Sequence, residues 1–302
     1  MHVAQFVHRY PPALGGAEAY AARLTEYLRG CGDTVDVWTT TVVELEEFWQ
    51  GPSLWSRARR LCGVSVGDRS RCRDCEDVRW SQSLHAYSAK PPCAAPKNSA
   101  PRRYQPLTFP LRRYILKALT FLPSSHLRSF LLPCNPICPG MWRDAGRYDG
   151  PLDAVHATAF PYAWPILCAR RLARRRRVPF LLTPFLHLGD DRTKRQYSQP
   201  ALRWLLKDAD AVFVQTKLER DACLELGVKP ERVVLQGLGV EASECTGGDR
   251  QRFRNRYQIA GDEVAIGHLA NLSEEKGSVD LLRACELLWN RGVKVKVVLA
   301  GP

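Results

Sequence analysis

Apolar and polar positions fall into short blocks from the start of the chain. Residues 2–7 form a mainly apolar run of strand length. Residues 9–16, with Pro11, Pro12, Gly15 and Gly16, form a breaker-rich loop, and Tyr20, Ala21, Leu24, Tyr27 and Leu28 then recur at helical spacing. Gly30 and Gly32 stop that helix, because glycine takes the backbone of a helix end without steric cost. In Thr34–Thr40 the side chains alternate, Val35 and Val37 toward one face and Asp36 and Trp38 toward the other, which is the period of a strand. Strand, loop, helix, strand is how a parallel α/β domain opens.

The alternation is then interrupted. Residues 51–110 are rich in Pro, Ser, Cys and Arg and hold no sustained period, so an irregular insertion in the first domain is expected over about 51–148. Within it, Leu111, Tyr114, Ile115, Ala118, Leu119 and Leu122 make one helical stripe with Arg112, Arg113 and Lys117 off it, a basic amphipathic helix ended by Pro123. Regular alternation resumes with expected strands at 152–156, 178–183, 211–215 and 233–235, and helices at 164–177, 200–207 and 218–226 between them. After a polar link at 241–249, a second unit reads strand 264–269, helix 279–290 and strand 293–300. The expected class is α/β, with a first domain over residues 1–258 and the start of a second over 259–302. A single strand-helix-strand cannot cover both faces of a parallel sheet, so the second domain is expected to be incomplete.

Composition narrows the class. The 302 residues suffice for two domains at ~150 residues each, and 45% apolar with 25% charged residues is ordinary for a folded chain. No stretch approaches the ~18 apolar residues of a membrane span, and the first eight residues lack a basic segment followed by a long apolar core. A cytoplasmic protein is expected, at most peripheral to the inner face of the membrane. Eleven cysteines then read as mostly reduced thiols. The net charge of +13, from 44 basic and 31 acidic residues, is uneven: residues 78–143 hold ten basic side chains and no acidic one. Such a surface suits a phosphate-bearing partner: nucleic acid, anionic lipid or a phosphorylated small molecule.

Three loops following strands can carry chemistry. Gly15 and Gly16 sit between the first strand and first helix, where free helix amides can hold an anion and glycine lets a ligand approach the main chain. A turn without function is the competing reading, and this is not the G-x-G-x-x-G dinucleotide fingerprint. Lys276, in Ser273-Glu274-Glu275-Lys276-Gly277, is a point charge suited to a diphosphate, or a solvated surface lysine. His187 follows the strand ending at Thr183, at the carboxyl end where open α/β sheets bind ligands, and Gly189 and Asp190 mark a loop there.

In this order, Tyr10-Pro11-Pro12 with Gly15-Gly16, Phe185-x-His187-x-Gly189-Asp190, Gly239-Val240-Glu241 and Leu272-Ser273-Glu274-Glu275-Lys276-Gly277 resemble a family 4 glycosyltransferase of the GT-B type. The resemblance covers both ends of the first domain and the start of the second; residues 51–148 have no counterpart in it. It implies two Rossmann-like domains, an acceptor-side one and a nucleotide-sugar-binding one. It implies sugar transfer from a nucleotide-diphosphate donor, with retention, to an acceptor such as a lipid-linked saccharide or polysaccharide. No metal or other cofactor is implied. Gly15 and Gly16 match the loop against the donor phosphates and sugar, His187 the catalytic histidine that contacts the transferred sugar, and Lys276 the phosphate-binding lysine. The family's arginine five residues before that lysine is Asn271 here, which offers hydrogen bonds without charge and costs about 1.5–3 kcal/mol if nothing substitutes. The family's pair of glutamates, with seven residues between them, lies downstream of a strand like that at 293–300. The chain is therefore expected to lack much of the donor pocket and to be an inactive fragment.

Other signals weigh less. Cys72 and Cys75, with Cys134 and Cys138, allow a zinc site, but plain thiols are the preferred reading. Six arginines between Arg170 and Arg177 read as a solvated helix end in preference to a nucleic-acid surface, for no reader motif accompanies them. The stripe at 111–122 suits anionic lipid or a core equally. The competing function is a non-catalytic, glycosyltransferase-like protein that binds an anionic membrane or nucleic acid through residues 78–143. A nicotinamide-dependent oxidoreductase is disfavoured by the missing fingerprint.

Overall fold

The computed structural model describes residues 1–44, 47–50, 99–108, 135–189, 194–195, 197–240, 242–270, 272–274 and 276–301. The chain forms two compact units, Met1–Leu238 and Gly239–Pro302. The division therefore falls about twenty residues before the expected one, and residues 239–258 go with the second unit.

The first unit is built on seven parallel strands: β1 (His2–Phe6), β2 (Thr34–Thr40), β3 (Arg102–Tyr104), β4 (Ala154–Thr158), β5 (Phe180–Thr183), β6 (Ala211–Val214) and β7 (Val233–Leu235). Their order across the sheet is β3-β2-β1-β4-β5-β6-β7. Strand order reverses between β1 and β4, which pair directly with Gln5 opposite His156. The helices described here are α1 (Gly16–Gly30), α2 (Glu47–Gln50), α3 (Pro139–Ala145), α4 (Ala163–Arg176), α5 (Pro200–Asp208) and α6 (Lys217–Glu225). Parallel strands cannot be joined by tight turns, so helices return the chain and their apolar sides cover the sheet. One core packs Phe6, Trp38, Leu182 and Val214 against Ile166 and Leu172 of α4 and Leu202 of α5. The other face carries Val7, Val35 and Val37 under Ala21 of α1.

Helix α1 corrects the expected stripe. Its buried side is Glu18, Ala21, Ala22 and Thr25, while Tyr27 is exposed. Small side chains bring the helix close to β1, where Gln5 Nε2 donates to the Ala21 carbonyl (3.2 Å) and Thr25 Oγ1 donates to Gln5 Oε1 (2.6 Å). A paired polar contact replaces the aromatic packing that periodicity suggests, since buried polar groups persist where they are hydrogen-bonded.

The irregular insertion is also corrected where it is described. Arg102–Tyr104 is the edge strand beside β2, and α3 lies in the main core through Met141 and Ala145. Tyr104 stacks on Trp38 at 5.7 Å, Trp38 stacks on Phe6 at 4.9 Å, and the Arg102 guanidinium lies 5.1 Å over the Trp38 ring. This aromatic column fixes an edge strand of three residues that has no apolar alternation of its own. Strand β4 begins two residues later than expected, and just before it Asp153 accepts the His2 amide on its carboxylate at 2.7 Å and donates its own amide to the His2 carbonyl at 2.8 Å. The expected helix at 111–122 and Cys72, Cys75 and Cys134 lie outside the described residues. Cys138 is buried in the main core.

The arginines at the end of α4 are partly solvated, with Arg174, Arg175 and Arg177 exposed as expected, and several also clamp the first unit. Arg170 and Arg174 bind Asp208 at 2.8 and 3.2 Å, Arg174 also binds Asp210, and Arg175 binds Asp149. Arg176 donates to the Tyr148 and Gly150 carbonyls, and Arg171 lies 4.3 Å over the Trp142 ring. Partly exposed pairs of this kind stabilise by about 0–1 kcal/mol each.

The second unit comprises α7 (Ala242–Cys245), α8 (Arg250–Arg256), β8 (Val264–Leu269), α9 (Ser278–Asn290) and β9 (Val295–Ala300), with β8 and β9 parallel. Here Leu269 is 88% exposed and Leu287 59%, so apolar side chains of both the sheet and α9 face outward. No helix among the described residues is long and apolar enough to cross a membrane.

Candidate functional site

In an open α/β sheet, the carboxyl ends of the two strands flanking the reversal of order splay apart and leave a crevice. Here those strands are β1 and β4. Beyond β1 come Val7, His8 and Arg9. Beyond β4 the backbone turns through Ala159, at a left-handed φ of 73°, into Phe160, Pro161 and Tyr162. The His8 and Tyr162 rings stack across this point with centroids 4.1 Å apart and planes 6° apart.

Below the stack lies a buried ion cluster. Glu18, in the first turn of α1, pairs with Arg9, its Oε1 lying 2.7 Å from Arg9 Nη2 and 3.1 Å from His8 Nε2. Arg9 also donates to the carbonyls of Val43 (2.9 Å) and Leu14 (3.2 Å), so one guanidinium ties β1, the glycine loop and the segment after β2 together. All three charged or titratable side chains are under 10% exposed. Burial raises the proton affinity of Glu18, but His8 and Arg9 outweigh it and hold the carboxyl below its ordinary range. Burial dominates at His8 and pushes its pKa down despite Glu18. The cluster is therefore a carboxylate and a guanidinium beside a neutral imidazole at pH 7.

This geometry gives Gly15 a specific reason. A Cβ there would fall 2.0 Å from Glu18 Oε2 and 3.3 Å from Arg9 Nη2, so the position is glycine because the carboxylate occupies the space. Gly16, the first residue of α1, is exposed with open space where a Cβ would stand. The predicted loop thus lies at the carboxyl edge of the sheet, at the start of α1. His8, Arg9, Glu18 and Tyr162, which build its support, are not recognised from sequence. The signal was present as His8-Arg9 directly after a strand, with a glutamate three residues into the following helix.

His187 lies beyond β5, at the same edge of the sheet. The turn leading to it passes through Phe185, whose φ of 53° is left-handed. Its ring stacks on Tyr197 at 5.2 Å and 19°, and the residue is exposed. A cavity of about 330 Å³ opens beside it, lined by Leu186, Leu188, Tyr197 and Leu218 together with Lys194 and Asp221. Glu219, in the first turn of α6, accepts from the Leu186 amide at 2.8 Å and the Gln215 amide at 2.7 Å. Tyr20 on α1 meets Phe185 edge-on at 5.0 Å and donates to Gln236 Oε1 beyond β7 at 2.9 Å. Gly15, Gly16 and His187 are therefore presented by one sheet edge.

Lys276 belongs to the second unit. It is exposed in a tight turn that precedes α9, where Gly277 adopts a left-handed φ of 73°. Ser278 is buried behind the turn, its Oγ accepting the Ser273 amide at 3.1 Å and lying 3.0 Å from His268 Nε2. This fixes the loop between β8 and α9. Asn271 lies outside the described residues. Among those described, no group of three His, Cys, Asp or Glu side chains is placed to hold a metal ion.

The chain has recognisable relatives at the level of family and fold. A family model described as a glycosyl transferase 4-like domain matches residues 15–239, and so runs through the region that the sequence resemblance left unplaced. No curated protein matches. Among solved structures, HepE (Alr3699) of Anabaena, in complex with UDP and glucose, superposes with a TM-score of 0.52 at 13% identity, over 99% of this chain and 60% of that one. The α,α-trehalose 6-phosphate synthase of Burkholderia multivorans gives 0.50 at 14% identity, over 100% and 63%. The chain thus spans about three fifths of the length of these structures, and identities this low speak for the fold alone.

Proposed function

Since the chain belongs to the glycosyl transferase 4-like family, we propose that it is the acceptor-side part, with the beginning of the donor side, of a retaining transferase that moves a sugar from a nucleotide diphosphate to an acceptor. The observation that carries this is the family match over residues 15–239 coinciding with a sheet edge that presents Gly15, Gly16 and His187 together. HepE, crystallised with UDP and glucose, supports a uridine nucleotide as the first donor to try.

In this reading Gly16 and the opening amides of α1 face the donor phosphates and sugar, and His187 contacts the transferred sugar. Lys276 carries the positive charge for the diphosphate, with Asn271 as a neutral hydrogen-bond donor and without a metal. A preformed set of donors suits this chemistry, because charge develops on the leaving diphosphate and on the sugar ring in the transition state. The acceptor is a lipid-linked saccharide or polysaccharide end, favoured by the ten positive charges of residues 78–143. The same charge supports peripheral contact with an anionic membrane, with the cytoplasmic face as its side. The outward-facing Leu269 and Leu287 argue that the donor half needs more strands and helices than the second unit supplies, so residues 1–302 alone turn over little sugar.

The experiment is ligand-observed NMR of the chain with UDP and UDP-glucose at millimolar concentration. Lys276→Ala is expected to weaken both ligands by about 10–150-fold, the loss of one charge-assisted hydrogen bond. His187→Ala is expected to weaken UDP-glucose and leave UDP unchanged. Robust turnover by the 302-residue chain, or identical affinities in both variants, would overturn the respective assignments.

A further inference from the structure

Glu219 is 4% exposed and bonded to two main-chain amides from two different loops. One, Gln215, precedes its own helix, where Thr216 caps α6 by accepting the Glu219 amide at 3.1 Å. The other, Leu186, immediately precedes His187. The carboxylate therefore pins the loop after β5 to the loop after β6 next to an exposed imidazole. A left-handed Phe185 is costly for a side chain with a Cβ, and such backbone persists only where its surroundings hold it. Here they are the Glu219 carboxylate on the amide side, Tyr20 against the Phe185 ring and buried Tyr197 under the His187 ring.

We propose that Glu219 is a positioning residue, which sets the main-chain turn at Phe185 and Leu186 and thereby presents His187 at the carboxyl edge of the sheet. The role goes beyond helix capping, which needs only the Gln215 side of the carboxylate. A glutamine can accept one of the two amides with its oxygen, but must set its NH2 group against the other, so charge-neutral replacement breaks one bond while keeping shape. An aspartate keeps the charge and can still cap α6, but is one methylene too short to span both loops. Burial pushes the Glu219 carboxyl upward against the pull of these amides and of His187, which fits a group kept for its geometry at some cost in solvation.

The relevance to sugar transfer rests on the assignment of His187 above; the positioning itself does not, and the test separates them. In the full chain, hydrogen exchange at the Leu186 amide and the His187 imidazole resonances are compared between parent, Glu219→Gln and Glu219→Asp. The expected result is exchange at Leu186 faster by about tenfold or more with β4 protection retained, and His187 resonances displaced from their Tyr197-stacked positions. Glu219→Asp, the milder change at the α6 cap, gives the same local result should the glutamine variant not fold. Unchanged Leu186 exchange and unchanged His187 resonances in the folded variant overturn the proposal. UDP-glucose affinity is then read in Glu219→Gln with and without His187→Ala. An effect that vanishes without His187 supports both readings, whereas a shifted His187 with no change in affinity removes His187 from the sugar site and leaves the positioning intact.

Discussion

Glu18→Ala is expected to destabilise the first unit by about 3–5 kcal/mol, because removing one partner of a buried ion pair leaves the other charge uncompensated. The charge left is Arg9, 7% exposed and held by carbonyls of Val43 and Leu14 that cannot neutralise it. At ~2 kcal/mol/M in urea, such a loss moves the unfolding midpoint by about 1.5–2.5 M. The same variant tests the origin of the glycine. Gly15→Ala alone meets the carboxylate at 2.0 Å, and its penalty should shrink by about 1–2 kcal/mol when Glu18 is already alanine. Additive effects in that cycle would mean that Gly15 is kept for another reason, such as ligand approach. A loss under about 1 kcal/mol for Glu18→Ala would mean that water or a rearranged Arg9 replaces the cluster.

The cluster also shows where reading the chain stops. Strands β1, β2, β7 and β8 and helix α5 fall within a residue or so of their expected limits, because each is specified by its own alternation or stripe. Strand β3 is not recognisable, since Arg102-Arg103-Tyr104 has no apolar face and exists through Trp38 and Tyr148 on other segments. Helix α3 opens with Pro139-Gly140, a pair that normally marks a turn, and is held by the core against α4. Both are cases of tertiary packing overriding local preference.

For the site, position was legible and cause was not. Gly15, Gly16, His187 and Lys276 each follow a strand, and the structure places Gly15, His187 and Lys276 in loops after β1, β5 and β8 and Gly16 at the start of α1. What supports the first of these is long-range: the bond from Arg9 to Val43 crosses 34 residues, and His8 meets Tyr162 across the strand reversal. Glu219 was within reach, for Thr216-x-x-Glu219 is the spacing of a capping box. Its second bond, to Leu186 33 residues away, was not.

Acid should weaken the first unit before most of its carboxylates are protonated. His156 lies in the middle of β4, 5% exposed, with Nε2 2.8 Å from Thr183 Oγ1 and Nδ1 without a hydrogen-bond partner. Burial lowers its pKa from 6.5 to about 4. Above pH 6.5 the ring is neutral in both folded and unfolded chains and costs nothing. As pH falls below 6.5, the unfolded chain takes up the proton while the folded one does not, so stability declines until about pH 4. At 1.36 kcal/mol per unit this amounts to about 3 kcal/mol. His8, also lowered by burial, acts in the same direction. Glu18, held below its ordinary value, adds to the loss only as pH falls below 4.5, whereas Glu219, raised, takes up its proton in the folded state first and opposes it. Urea unfolding at pH 7, 5.5 and 4.5 should therefore show a progressive loss in the parent chain. In His156→Gln, which keeps a polar group toward Thr183 and does not titrate, most of the His156 part of that slope should disappear. Equal slopes in the two proteins would show that water reaches the ring and that the β4–β5 layer opens more readily than its packing implies.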